Sequence, residues 1–121
     1  MRDIRYDAEG DILYITFEDA RGQPSTGIEL MDNVVLYFNP ETERPLKMIL
    51  LSYARLVAAS ARQPLLLDGL AELPMDLRRV VLRVLNSSPV NLFLRMAEVD
   101  SPIPRSSLTQ VFMPEVMKAV A

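Results

Sequence analysis

The sequence predicts an α+β fold: an antiparallel β-meander of about four strands over residues 2–55, followed by helices packed on the sheet. Three observations carry this. Through the first half, β-branched and aromatic residues recur at every second position between clusters of turn residues. The connections there are too short for the crossover that parallel strands require, so neighbours run antiparallel. After residue 55 the apolar spacing changes to that of a helix, most clearly over 75–85.

Arg2 to Tyr6 alternates, with Ile4 and Tyr6 on one side. Asp7-Ala8-Glu9-Gly10-Asp11 turns the chain, because Asp7 can accept hydrogen bonds from the turn backbone and Gly10 tolerates positive φ. Ile12 to Phe17 is read as the central strand, Leu13, Ile15 and Phe17 on one face and Ile12, Tyr14 and Thr16 on the other. It ends at Glu18-Asp19, and residues 20–27 form a polar loop with Gly22, Pro24 and Gly27. Ile28 to Asn39 is extended but interrupted at Asp32-Asn33, by a tight turn or a bulge. A bend in one long strand is the preferred reading, with Val34, Leu36 and Phe38 opposite Val35 and Tyr37. Asn39-Pro40-Glu41-Thr42 has the residues of a type I turn. Leu46 to Tyr53 re-enters the sheet, and its run Met48-Ile49-Leu50-Leu51 lacks the alternation of a strand with one wet face. Both of its faces are therefore expected to be covered.

Arg55 to Arg62 starts a short helix that Pro64 ends. Leu65 to Leu73 is apolar with Gly69 inside it and stays open between a helical turn and a packed loop. Pro74 suits a first helical turn, and Met75 to Leu85 is the clearest helix: Leu77, Val80, Val81, Val84 and Leu85 form its apolar stripe, with Arg78, Arg79 and Arg83 off it. Asn86-Ser87-Ser88-Pro89 stops it. Val90 to Ala97 reads as a strand or a short helix, Asp100 to Arg105 as extended linker, Leu108 to Phe112 as a weak strand or loop, and Pro114 to Val120 as a terminal helix.

A chain of 121 residues fits a single domain, 1–121, able to bury roughly two-thirds of its unfolded surface. The mean hydropathy of +0.13 is high for so small a monomer, and surplus apolar surface points to a partner interface, a homodimer first. Net charge is −3. Residues 1–62 carry ten acidic against seven basic side chains, which argues against nucleic acid or an anionic membrane as partner. Cys and His are both absent. That excludes disulfides, thiolate or His-ligated metal, Ser-His-Asp triads and the usual general base near neutral pH. No cofactor is implied. Met1-Arg2-Asp3-Ile4-Arg5 has no signal-like apolar region and no apolar run reaches spanning length, so a cytoplasmic protein is expected.

Asp7-x-Glu9-x-Asp11, with Glu18 at the twelfth position, approximates calcium-loop spacing, but the sixth position is Ile12 instead of Gly and strand follows. A solvated hairpin turn is expected there, and no metal. The same three carboxylates could do acid/base work if a cleft held them together, although charges beside strands are more often solvated. Arg78, Arg79 and Arg83 could meet phosphate or an acidic partner; the helix has no aromatic residue for base stacking, and a solvated face is the simpler expectation. Met48 and Leu50, with Met96, Met113 and Met117, are expected in the core or a subunit interface. The candidate interface is thus Met48, Leu50, Arg78, Arg79 and Arg83.

The runs Ile4 to Phe17 and Ile28 to Leu56 make residues 2–55 resemble the bacterial domain of unknown function 2283 family. The matching positions are Tyr6, Asp7, Glu9, Asp11, Leu13, Tyr14 and Ile15, with Ala54 at the end. Asn33 stands where that family commonly has Gly and Leu50 where it commonly has a charge, and the chain beyond Arg62 has no counterpart in its short members. The resemblance implies a small antiparallel sheet and supplies no catalytic residue. Toxin-like neighbours of some relatives imply an antitoxin-like or protein-binding role. The leading expectation is a noncatalytic, self-associating interaction module. The alternatives are a small-molecule binder or carboxylate-based enzyme using Asp7, Glu9 and Asp11, and an antitoxin-like subunit that docks through Met75 to Leu85.

Overall fold

A computed structural model describes residues 3–96 and 108–114. Arg2, Ala97, the linker expected at Asp100 to Arg105, Met117 and the terminal helix beyond Pro114 lie outside the described residues.

Five antiparallel strands form the main sheet: β1 (Asp3–Asp7), β2 (Ile12–Thr16), β3 (Thr26–Met31), β4 (Val34–Asn39) and β5 (Arg44–Leu51). The spatial order is β1-β2-β5-β4-β3, so the central strand is β5 and not β2. A simple meander would put β2 beside β3. Here the hairpin β1–β2 joins the unit β3–β4–β5 through a seam at which Tyr14 pairs with Ile49 and Ile15 with Met48. The count is five because Asp32-Asn33 is a two-residue hairpin turn, not a bend: Met31 pairs with Val34 across it. The turn after β4 is built as its residues require, with the Asn39 side-chain oxygen accepting from the amides of Glu41 and Thr42 at 2.8 and 3.2 Å.

One face of this sheet is dry. A row across it runs Ile4, Ile15, Met48, Leu36, Ile28, and the next contains Tyr6, Leu13, Leu50 and Val34. Apart from the edge residues Ile4 and Tyr6, every side chain in these rows is buried. The second half of the chain covers this face through α1 (Tyr53–Arg62), β6 (Leu65–Leu66), α2 (Asp68–Ala71), α3 (Met75–Leu85), a 3₁₀ turn at Val90–Leu92, β7 (Leu94–Met96) and β8 (Leu108–Val111). The last three strands form a small antiparallel sheet, β6-β8-β7. Both open readings resolve as mixtures: Leu65 to Leu73 holds β6 and the short α2, and Val90 to Met96 holds a helical turn and then a strand.

Two contacts fix how the halves meet. A β-carbon at Gly69 would stand 1.9 Å from the Glu29 carbonyl oxygen, so α2 sits against the backbone of edge strand β3 at a distance only glycine permits. On α1, the buried Ser60 Oγ accepts the Val111 amide at 2.8 Å and lies 3.2 Å from the Val111 carbonyl, tying the helix to β8.

The opposite face of the sheet is not covered by the described residues. Arg5, Tyr14, Ile49, Val35 and Glu29 form one row across it, and Asp3, Thr16, Lys47, Tyr37 and Gly27 the next. No side chain in these rows is fully buried. The expectation that β5 is covered on both faces is met on one face only among the described residues: Leu46, Met48 and Leu50 are buried, while on the other face Ile49 is half-buried and Leu51 is 37% exposed.

Candidate functional site

The acidic hairpin does not converge on a shared cleft. Asp7 Oδ1 accepts the Gly10 amide at 3.2 Å and closes the turn from within, and Glu9 is exposed. Asp11 has a different role. With φ at 55° its backbone bends back toward β5, and its Oδ1 receives the Tyr6 hydroxyl at 2.6 Å and the Ala54 amide at 2.9 Å. Its carbonyl accepts the Tyr53 amide. Ala54 lies in the first turn of α1, where amides lack partners inside the helix, and the residue preceding that helix, Ser52, makes no side-chain cap. Asp11 therefore caps a helix more than forty residues away.

The electrostatics follow from these contacts. Burial pushes the Asp11 carboxyl up. The Ala54 amide, the Tyr6 hydroxyl, the Arg55 amide and the Arg55 guanidinium together outweigh it and hold the group below the ordinary carboxylate value. The Tyr6 phenol is raised, first by the bond to Asp11 and then by burial. Burial, with a smaller contribution from Tyr6, pushes the Tyr53 phenol far above its usual value; its hydroxyl donates to the Phe112 carbonyl at 2.5 Å, and its ring meets Tyr6 edge to face at 6.1 Å. This Tyr6–Asp11–Tyr53 group joins the hairpin to the second half of the chain.

The remaining candidates separate as well. Met48 and Leu50 have no exposed surface and lie in the core beneath the helices, so a partner cannot touch them on the folded chain. Leu50, at a position commonly charged in the resembling family, is buried because the second half of the chain packs over it. Arg83 pairs with Glu43 at 2.8 Å, linking α3 to the β4–β5 turn; Arg79 is exposed and Arg78 half-buried. Among the described residues no group of three or more acidic side chains is placed to hold a metal ion, and no helix is long and apolar enough to cross a membrane. An open cleft of about 470 Å³ lies between β3 and α2, with Glu29, Asp32, Asp68 and Glu72 on its walls.

The feature that residue-by-residue reading missed is the uncovered sheet face. Tyr14, Ile49 and Val35 lie side by side on it, with Leu51 adjacent along β5. The Arg5 guanidinium lies 4.6 Å from the Tyr14 ring centre, and the Lys47 ammonium 5.6 Å from that of Tyr37. The Tyr37 ring sits beside Gly27, where a β-carbon would come within 2.8 Å of it. The surface is consequently aromatic and aliphatic along the row Tyr14, Ile49, Val35, with Arg5 and Glu29 charged at its margins and Lys47 charged on the central strand. Its signal in the sequence was the unbroken run Met48 to Leu51.

No curated protein and no solved structure matches the chain. Residues 3–52, from the start of β1 through the end of β5, match the family described as a protein of unknown function (DUF2283), so the five-stranded sheet is the part of this chain that is similar to that family.

Proposed function

We propose that the protein is a noncatalytic interaction module whose working surface is the outer face of the five-stranded sheet. The observation that carries this reading is the row Tyr14, Ile49, Val35, a half-buried apolar strip on the face that the described residues do not cover. Contiguous apolar surface on a small domain costs solubility unless something seats on it. The employment of Asp7 and Asp11 in a turn and a helix cap supports a noncatalytic role. Engagement of Arg83 with Glu43 makes the α3 arginines a weaker docking surface than the sheet.

The test is site-specific photocrosslinking in the protein's own host. A photoreactive phenylalanine analogue at position 35 should give one discrete protein–protein product, with the partner identified by peptide mass. The same probe at Ala58, on the exposed side of α1, should give none. No product at 35, or equal yields at both positions, refutes the reading.

A further inference from the structure

We infer that the partner on this face is a second copy of the chain, seated face to face about a two-fold axis parallel to β5; this deepens the reading above and rests on it.

The argument is one of charge and symmetry. β5 is the middle of five strands, so a half-turn about an axis along it exchanges β1 with β3 and β2 with β4. Applied to the row Arg5–Tyr14–Ile49–Val35–Glu29, this operation brings Arg5 of each copy opposite Glu29 of the other, Tyr14 opposite Val35, and Ile49 against itself. Two oppositely charged pairs close around an apolar centre. The other in-plane two-fold axis, across the strands, brings β1 onto β1 and β3 onto β3. Placed on this row it would set Arg5 against Arg5 and Glu29 against Glu29, so for this row packed on itself the charges favour the axis along β5.

The second row agrees. Lys47 sits on β5 itself, where the axis would oppose it to its own symmetry mate. Its ammonium instead leans over Tyr37 on β4, away from the axis, and on that side the partner presents its β2 and β1 margin, where Asp3 stands. Sheets packed face to face keep their strands within about 30° of each other. At the sheet margins, about 10 Å from the axis, that rotation displaces facing residues by about 5 Å, within reach of an arginine and a glutamate. Arg5 and Glu29 are both exposed and can make that reach. The face projects only about 400 Å² by strand spacing and length, against about 800 Å² per partner in a standard interface. Dissociation is therefore expected in the micromolar range.

Sedimentation velocity of the full chain, across micromolar concentrations, tests this with two charge reversals at exposed positions. Wild type should be a reversible dimer. Arg5→Glu and Glu29→Arg, each alone, set like charges together twice and should each raise Kd by at least about tenfold. An equimolar mixture of the two variants should form a heterodimer tighter than either homodimer, and the doubly substituted chain should recover wild-type affinity. A chain that is monomeric throughout, or a photocrosslink from position 35 to a different protein, overturns the inference. A dimer that Ile49→Asp dissociates but the charge reversals leave unchanged overturns the two-fold register while leaving the sheet face as the contact surface.

Discussion

Replacing Asp11 separates a structural carboxylate from a catalytic one. Asp11→Ala removes the acceptor of the Ala54 amide, and a lost helix cap costs about 1 kcal/mol. It leaves the Tyr6 hydroxyl without its 2.6 Å acceptor, at about another 1 kcal/mol, and places alanine at φ 55°, a left-handed backbone that costs about 1 kcal/mol more. The expected loss is about 3 kcal/mol, or roughly 12 °C in Tm at about 4 °C per kcal/mol. Asp11→Asn keeps an oxygen in place and tolerates the left-handed backbone, so it should cost about 1 kcal/mol. Urea unfolding by circular dichroism would show two shifted midpoints with unchanged slope. The pH dependence has a definite sign. Because the folded carboxyl titrates below its unfolded value near 3.9, its stabilisation is complete above that value and is lost as pH falls through the lower, folded one. The gap between wild type and Asp11→Asn should therefore close on acidification through that window. If Asp11→Ala costs no more than a Glu9→Ala control, or Asn costs as much as Ala, the capping role is wrong. An enzyme or ligand site at Asp7, Glu9 and Asp11 would instead lose activity or binding with stability unchanged.

Two further substitutions test how the halves join. Gly69→Ala gains up to about 1 kcal/mol of helix propensity, but its β-carbon would meet the Glu29 carbonyl at 1.9 Å, a backbone clash that no rotamer relieves; a net loss of about 2 kcal/mol or more is expected in thermal unfolding, and a variant as stable as wild type would disprove the close approach. Ser60→Ala strips the Val111 amide of its 2.8 Å acceptor inside the core and should cost about 1–3 kcal/mol, with faster hydrogen exchange at that amide as the specific sign.

The sheet was legible in the sequence where the cause is local. Alternation in Ile12 to Thr16 and Val34 to Asn39 set the strands and their dry faces, and Asn39-Pro40 set its turn. Strand order was not legible, because β2 pairs with a strand beyond the intervening β3–β4 hairpin and no local pattern records which neighbour it takes. The two-residue turn at Asp32-Asn33 was open for a related reason: the same pair of residues serves a bulge or a hairpin, and the pairing of Met31 with Val34 decides. Among the candidate residues, the run Met48 to Leu51 marked a strand expected to be covered on both faces, and the described residues cover one of them. Which face the described residues cover depends on where residues 53–96 and 108–114 fold back, so the interface candidates Met48 and Leu50 belong to the core and their neighbours Ile49 and Leu51 to the open side. The cap by Asp11 had no sequence signal, since donor and acceptor are 43 residues apart, and Ser52, the residue preceding the helix, makes no side-chain cap of its own.

The placement of the described part of the second half on one side of the sheet bears on valency. A bare five-stranded sheet offers two apolar faces and can add layers without end; here one face is filled from within, the β3 margin is held by α2, and the β1 margin alternates exposed Asp3, Arg5 and Asp7. Among the described residues a single sheet face is left open to a further layer, so the self-association proposed above would close as a pair instead of stacking.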